Sequence, residues 1–91
     1  MAHTYRFKIL TPAHEVLNEE IESMIAPGEA GHLGILANHA PLITTLNAGT
    51  LKVRLLNDEK WYRLSGGILR VARNEAILLS EAVEEIPVER S

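Results

Sequence analysis

The chain has 91 residues, of which 46% are hydrophobic, 23% charged and 4% aromatic, with no cysteine and a net charge of −3. A domain this small buries only about 60–65% of the surface its unfolded chain exposes, so one compact core of Ile, Leu and Val is expected. The acidic balance argues against nucleic acid, which needs a concentrated basic surface, and the missing cysteines remove disulfides and thiolate metal sites.

In chain order, Tyr5, Phe7 and Ile9 alternate with Arg6 and Lys8, the period of a strand with one buried face. Thr11 and Pro12 signal a turn. Ile21 and Ile25 are placed on one face around Ser23, with Glu22 opposite, and Ala26, Pro27 and Gly28 form the next turn signal. Residues 31–49, GHLGILANHAPLITTLNAG, read as a short strand, a tight polar corner, a second strand and another turn. Gly31, Gly34 and Gly49 supply backbone freedom there, and Pro41, with a fixed φ and no amide donor, separates the two strands. Leu51, Val53 and Leu55 alternate with Lys52 and Arg54, and Asn57 and Asp58 turn the chain. Residues 61–64 and 67–72 are two further strands around Ser65 and Gly66. Arg73 and Asn74 mark a turn before residues 76–80, AILLS, which read as almost wholly buried.

Short strands and frequent turns of this kind indicate an antiparallel sandwich or barrel. The expected fold is all-β, a two-sheet antiparallel sandwich over residues 1–80. Residues 81–91 change character: Glu81, Glu84, Glu85 and Glu89 with Pro87 suit the first turn of a helix, so this tail is expected to be a helix stub.

Signals of chemistry are weak. Gly28, Gly31 and Gly34 are spaced G-x-x-G-x-x-G, with no following Lys-Ser/Thr pair and no helix, so they fit turns and close strand approach better than a phosphate loop. His3, His14, His32 and His39 form no close ligand pair, which points to solvated or interface histidines and no metal. Ser65 before two glycines is a turn serine. The adjacent acids Glu19 and Glu20, or Glu84 and Glu85, point to opposite faces of a strand and cannot share a site. Lys52, Arg54, Lys60, Arg63, Arg70 and Arg73 with Trp61 and Tyr62 fit charged outer faces better than a nucleic-acid platform.

The segment of residues 31–49 closely resembles the signature of the epsilon subunit of bacterial F-type ATP synthases: an acidic-glycine turn, a G-(I/V)-(L/Y) strand, then HAPL(I/L)T and a glycine. FKILTP, IAPGEAGHLGI, GTLKVRL and LSGGILRV follow the same order, extending the resemblance over residues 5–80. It implies a non-catalytic rotor subunit whose N-terminal β-sandwich docks on the gamma subunit and rests on the polar loops of the membrane c-ring, coupling ion translocation to ATP synthesis. By motif position, Glu29, Ala30, Gly31 and His32 would face the c-ring, and His39, Ala40, Pro41 and Leu42 the gamma subunit. His32 stands where the family pattern has an acid, which by the resemblance would pair with a basic c-ring loop. EEIPVERS falls where the family's inhibitory, nucleotide-sensing helical hairpin begins; that hairpin is expected to be absent here, and with it any cofactor, ATP binding or brake on hydrolysis.

No run approaches the roughly 18 apolar residues that cross a bilayer, and MAHTYRFKIL does not resemble a signal peptide, so no direct membrane insertion is expected. The implied location is peripheral, on the cytoplasmic face of a bacterial inner membrane. Docking on gamma should require an exposed apolar patch on one sheet or edge. The competing reading is a small β-sandwich that binds a ligand or carbohydrate, with Trp61 and Tyr62 as a stacking platform.

Overall fold

The computed structural model describes residues 3–89. Its ten strands are β1 (Tyr5–Leu10), β2 (Glu15–Ile21), β3 (Ser23–Gly28), β4 (Gly31–Leu36), β5 (Leu42–Leu46), β6 (Gly49–Arg54), β7 (Glu59–Leu64), β8 (Gly67–Ala72), β9 (Glu75–Leu79) and β10 (Val83–Ile86). No helix occurs among the described residues. One layer runs β10-β7-β6-β3-β4 and the other β5-β8-β9-β1-β2. The layers meet along a short seam, where Gly28 pairs with Leu46 and the amide of Asn47 donates to the carbonyl of Pro27 at 2.8 Å. The expected two-sheet sandwich is therefore present. Its pairing is antiparallel except between β1 and β9, which run parallel with Arg6 opposite Glu75.

Alternation builds the core. Tyr5, Phe7 and Ile9 from β1 face Leu51, Val53, Tyr62 and Leu64 from the opposite layer, all buried, and Leu69, Val71, Ala76 and Leu78 complete the inner face. Each aliphatic or aromatic side chain removed from water in this way contributes about 1.5–3 kcal/mol.

Four local expectations are corrected. Ile21 and Ile25 do not share a face: Ile21 is buried whereas Ile25 is 45% exposed. The chain bends at Glu22, whose amide bonds to the carbonyl of Arg54 at 2.8 Å, and the extra residue shifts the alternation, so Met24 and Ala26 turn inward instead. Ala26, Pro27 and Gly28 are the end of β3, and the turn itself is Glu29 and Ala30. Gly34 has a negative φ and no atom within 4 Å of where a Cβ would stand, so the fold makes no use of its freedom.

The tail is the fourth correction. Residues 83–86 form β10 on the edge of β7, with Val83 opposite Leu64 and Ile86 opposite Trp61. An isolated helical turn must fix several residues for its first hydrogen bond, whereas the free edge of β7 offers a ready ladder. Val83 packs against the core, Glu84 pairs with Arg63 at 3.4 Å, and Pro87, which has no amide to donate, follows the strand's last residue. Arg90 and Ser91 lie outside the described residues.

Candidate docking surfaces

The strands run between two ends of the sandwich, and the two groups of expected contact residues lie at opposite ends. At one end, Gly28 and Gly31 pair across the β3–β4 hairpin and enclose Glu29 and Ala30. Gly31 holds a φ of 125°, open to glycine and strained for other residues. Glu29, Ala30, Gly31 and His32 are all exposed. The turns after β1, β5 and β7 close the same end, and Thr11 organises the first of them by accepting from the amides of Ala13 and His14.

At the other end stands the corner of residues 37–41. The amide of His39 donates to the carbonyl of Leu36 at 3.3 Å, and Asn38 sits in the left-handed region with a φ of 63°. The Nδ1–H of His39 donates to the carbonyl of Ala40 at 2.7 Å, which fixes the imidazole and its tautomer. Ala40 and Pro41 are exposed, while Leu42 opens β5 opposite Val71 and packs partly into the core. Strands of five or six residues separate the two ends by roughly 20 Å, so the two groups cannot form one site but can serve two partners.

Between the ends, the outer face of the β5-β8-β9-β1 layer carries residues that the sequence reading did not single out. Register places Ile43, Arg70, Ile77 and Lys8 in one row across these strands, and Thr45, Ile68, Leu79 and Leu10 in the next. Ile43 is 73% exposed, Leu79 52% and Ile68 51%. With Leu10, Ile77 and the stem of Arg70 they line a shallow hollow of about 430 Å³. The expected apolar patch is thus present. Its signal was the aliphatic doublets Ile9-Leu10, Leu42-Ile43, Ile68-Leu69 and Leu78-Leu79, since neighbours in a strand point to opposite faces and only one of each pair can enter the core. The expectation that residues 76–80 are almost wholly buried fails for this reason at Leu79.

The aromatics make no stacking platform. Tyr62 is buried in the core, whereas Trp61 lies outside beneath the ammonium of Lys52, 4.5 Å from the ring centre, and donates its indole N–H to Glu59 at 2.7 Å. Burial, with smaller contributions from Glu85, Glu19 and Asp58, pushes the Tyr62 hydroxyl up to about 12. Burial likewise raises that of Tyr5. Both phenols belong to the core and neither touches a docking surface. Among the described residues no three His, Asp or Glu side chains gather as a metal site would require.

Known proteins resemble this chain in sequence and in fold. Residues 4–86 match the family model described as ATP synthase, Delta/Epsilon chain, beta-sandwich domain. The ATP synthase epsilon chain of Desulforamulus reducens is 42% identical over the whole of this chain and 71% of its own length. The sodium-ion-specific epsilon chain of Propionigenium modestum is 33% identical over 97% of this chain and 66% of its own. Among solved structures, a chain of the Euglena gracilis mitochondrial ATP synthase superposes with a TM-score of 0.85 at 19% identity, covering 93% of this chain and 54% of that one. A chain of the Tetrahymena thermophila central stalk and c-ring assembly gives 0.77 at 21% identity, covering 87% and 64%. The chain thus spans about half to two thirds of the solved chains that share its fold.

Proposed function

The chain belongs to the ATP synthase delta/epsilon family as its β-sandwich domain, and we propose that it is the epsilon-type coupling piece of the rotor, joining gamma to the c-ring through its exterior and without catalytic chemistry of its own. The observation that carries this reading is the pair of aliphatic rows on the β5-β8-β9-β1 face. Ile43, Ile68 and Leu79 sit more than half exposed on a rigid sheet, an arrangement that a partner subunit relieves. The rows begin beside the His39 corner, so His39, Ala40, Pro41 and Leu42 extend the same gamma-facing surface. A stable interface takes roughly 800 Å² from each partner, about one seventh of this chain's 5648 Å² surface.

The opposite end, with Glu29, Ala30, Gly31 and His32, would rest on the polar loops of the c-ring. A closed two-layer body with a dense core suits a part that transmits torque, because close-packed interiors deform little under load. In a bacterial cell the complex would place this chain on the cytoplasmic face of the inner membrane, held there by its partners. The test is direct association of the purified chain with gamma. Unmodified protein should co-purify with gamma, and Ile43→Asp with Ile68→Asp should abolish the association while the sandwich still folds. Retention of gamma by the doubly substituted chain would place the interface elsewhere.

A further inference from the structure

Asn74 does something that its turn does not require. Arg73 and Asn74, with φ of 52° and 58°, are the two central residues of the β8–β9 hairpin, in which Ala72 pairs with Glu75. A two-residue turn with both φ positive asks only for residues that tolerate the left-handed region, and glycine serves at the second position. The carboxamide of Asn74 is therefore surplus to the hairpin. It reaches out of the turn: Oδ1 accepts the amide of Asn38 at 2.8 Å, and Nδ2 donates to the carbonyl of Thr4 at 2.9 Å. Three segments distant in sequence are joined by one side chain.

Asn38 needs such support. It adopts a left-handed φ of 63° after β4 has ended, and the bond closing its turn, from His39 to Leu36, is long at 3.3 Å. Leu42 re-enters the core only beyond Pro41, so Ala40 and Pro41 have no packing of their own. The β8 strand that leads into the Asn74 turn also carries Ile68 and Arg70 of the apolar face.

We propose that Asn74 is a positioning residue for docking: by holding the Asn38 amide, it fixes the path of the His39 corner relative to the aliphatic rows, so both meet gamma as one preorganised surface. This inference rests on the rotor reading given above. Holding a loop in its bound shape before association removes an ordering cost that would otherwise weaken binding.

Two substitutions test it in the full chain. Asn74→Gly keeps the left-handed turn and removes both bonds, whereas Asn74→Asp keeps the acceptor for Asn38 and loses the donor to Thr4. Loss of one or two exposed hydrogen bonds translates into a roughly three- to tenfold weaker Kd for gamma in Asn74→Gly, with faster hydrogen exchange at the Asn38 amide. Asn74→Asp, whose second carboxylate oxygen repels the Thr4 carbonyl, should retain much of the Asn38 protection and bind gamma with an affinity between those of Asn74→Gly and the unmodified chain. A core variant matched in melting temperature, Ile9→Val, should bind gamma like the unmodified chain, separating positioning from stability. Wild-type affinity in Asn74→Gly, or unchanged exchange at Asn38, overturns the proposal. If the unmodified chain does not bind gamma, the rotor reading itself falls, and the Asn38 exchange still decides whether Asn74 holds the corner.

Discussion

The hydroxyl of Tyr5 donates to the carbonyl of Ile35 at 2.7 Å, a buried hydrogen bond that joins β1 in one layer to the edge strand β4 in the other. The layers also touch through apolar side chains, the short seam at Gly28 and Leu46, the Lys60–Glu19 ion pair and the Asn38–Asn74 bond, and the Tyr5 bond is the buried one that ties β4 over the core. Because β4 leads directly into the His39 corner, it also links core packing to the proposed docking surface.

Tyr5→Phe removes only that hydroxyl and leaves the ring in place. The cost expected for losing a buried neutral hydrogen bond is about 1–2 kcal/mol, which lowers the melting temperature of a domain this size by roughly 5–10 °C. Thermal unfolding followed by circular dichroism checks this. A change below about 2 °C would show that the Ile35 carbonyl finds another partner.

The two buried phenols predict a steep alkaline limit. In the fold the Tyr62 hydroxyl titrates at about 12 rather than the ordinary 10.0, and that of Tyr5 is raised as well. The folded state therefore holds these protons more tightly than the unfolded chain. Their contribution is complete below pH 10 and declines as pH rises from there, the share of Tyr62 being lost through about 12, with a slope of about 1.4 kcal/mol per pH unit for each tyrosine. Urea unfolding across pH 8–12 should show this fall, and Tyr62→Phe should make it shallower.

Two glycines should respond oppositely to alanine. Gly67 lies at φ 156°, and a Cβ there would collide with the carbonyl of Leu79. Gly67→Ala should destabilise the chain by about 2–3 kcal/mol or more. Gly34→Ala meets open space and should stay within about 0.5 kcal/mol of the unmodified chain, on the stabilising side because the unfolded chain loses entropy. Chemical denaturation of both variants decides the point. Equal losses would mean that the outer face of β4 is constrained in a way its open surroundings do not show.

At the proposed base, His32→Glu restores the acid of the family pattern on an exposed hairpin. Opposite a basic c-ring loop, it should tighten association roughly two- to fivefold at low salt, the range of an exposed ion pair. That gain should fade as salt rises and screening shortens the reach of the charge. Titration of the variant against purified c-ring at two ionic strengths measures it. A gain that persists in high salt would argue for a contact other than charge pairing.

Much of this molecule was legible in its residues. The alternation of Tyr5, Phe7 and Ile9, the turns at Asn57 and Asp58 and at Arg73 and Asn74, and the strand-corner-strand of residues 31–49 all follow from local rules of period and backbone freedom. The ordered motifs from FKILTP to LSGGILRV identified the family for the same reason. Residues with several nonlocal partners were not legible. One bend at Glu22 exchanged Ile25 for Met24 in the core, and the open edge of β7 drew residues 83–86 into a strand rather than a helix. The aliphatic doublets announced two apolar faces without saying which would be covered. A strand's two sides are locally equivalent, and only the opposing layer, the register and the free edges make one of them interior. Composition and motif thus determined a small all-strand body of known family, while the folded arrangement alone decided which aliphatic side chains remain outside to be met by a partner.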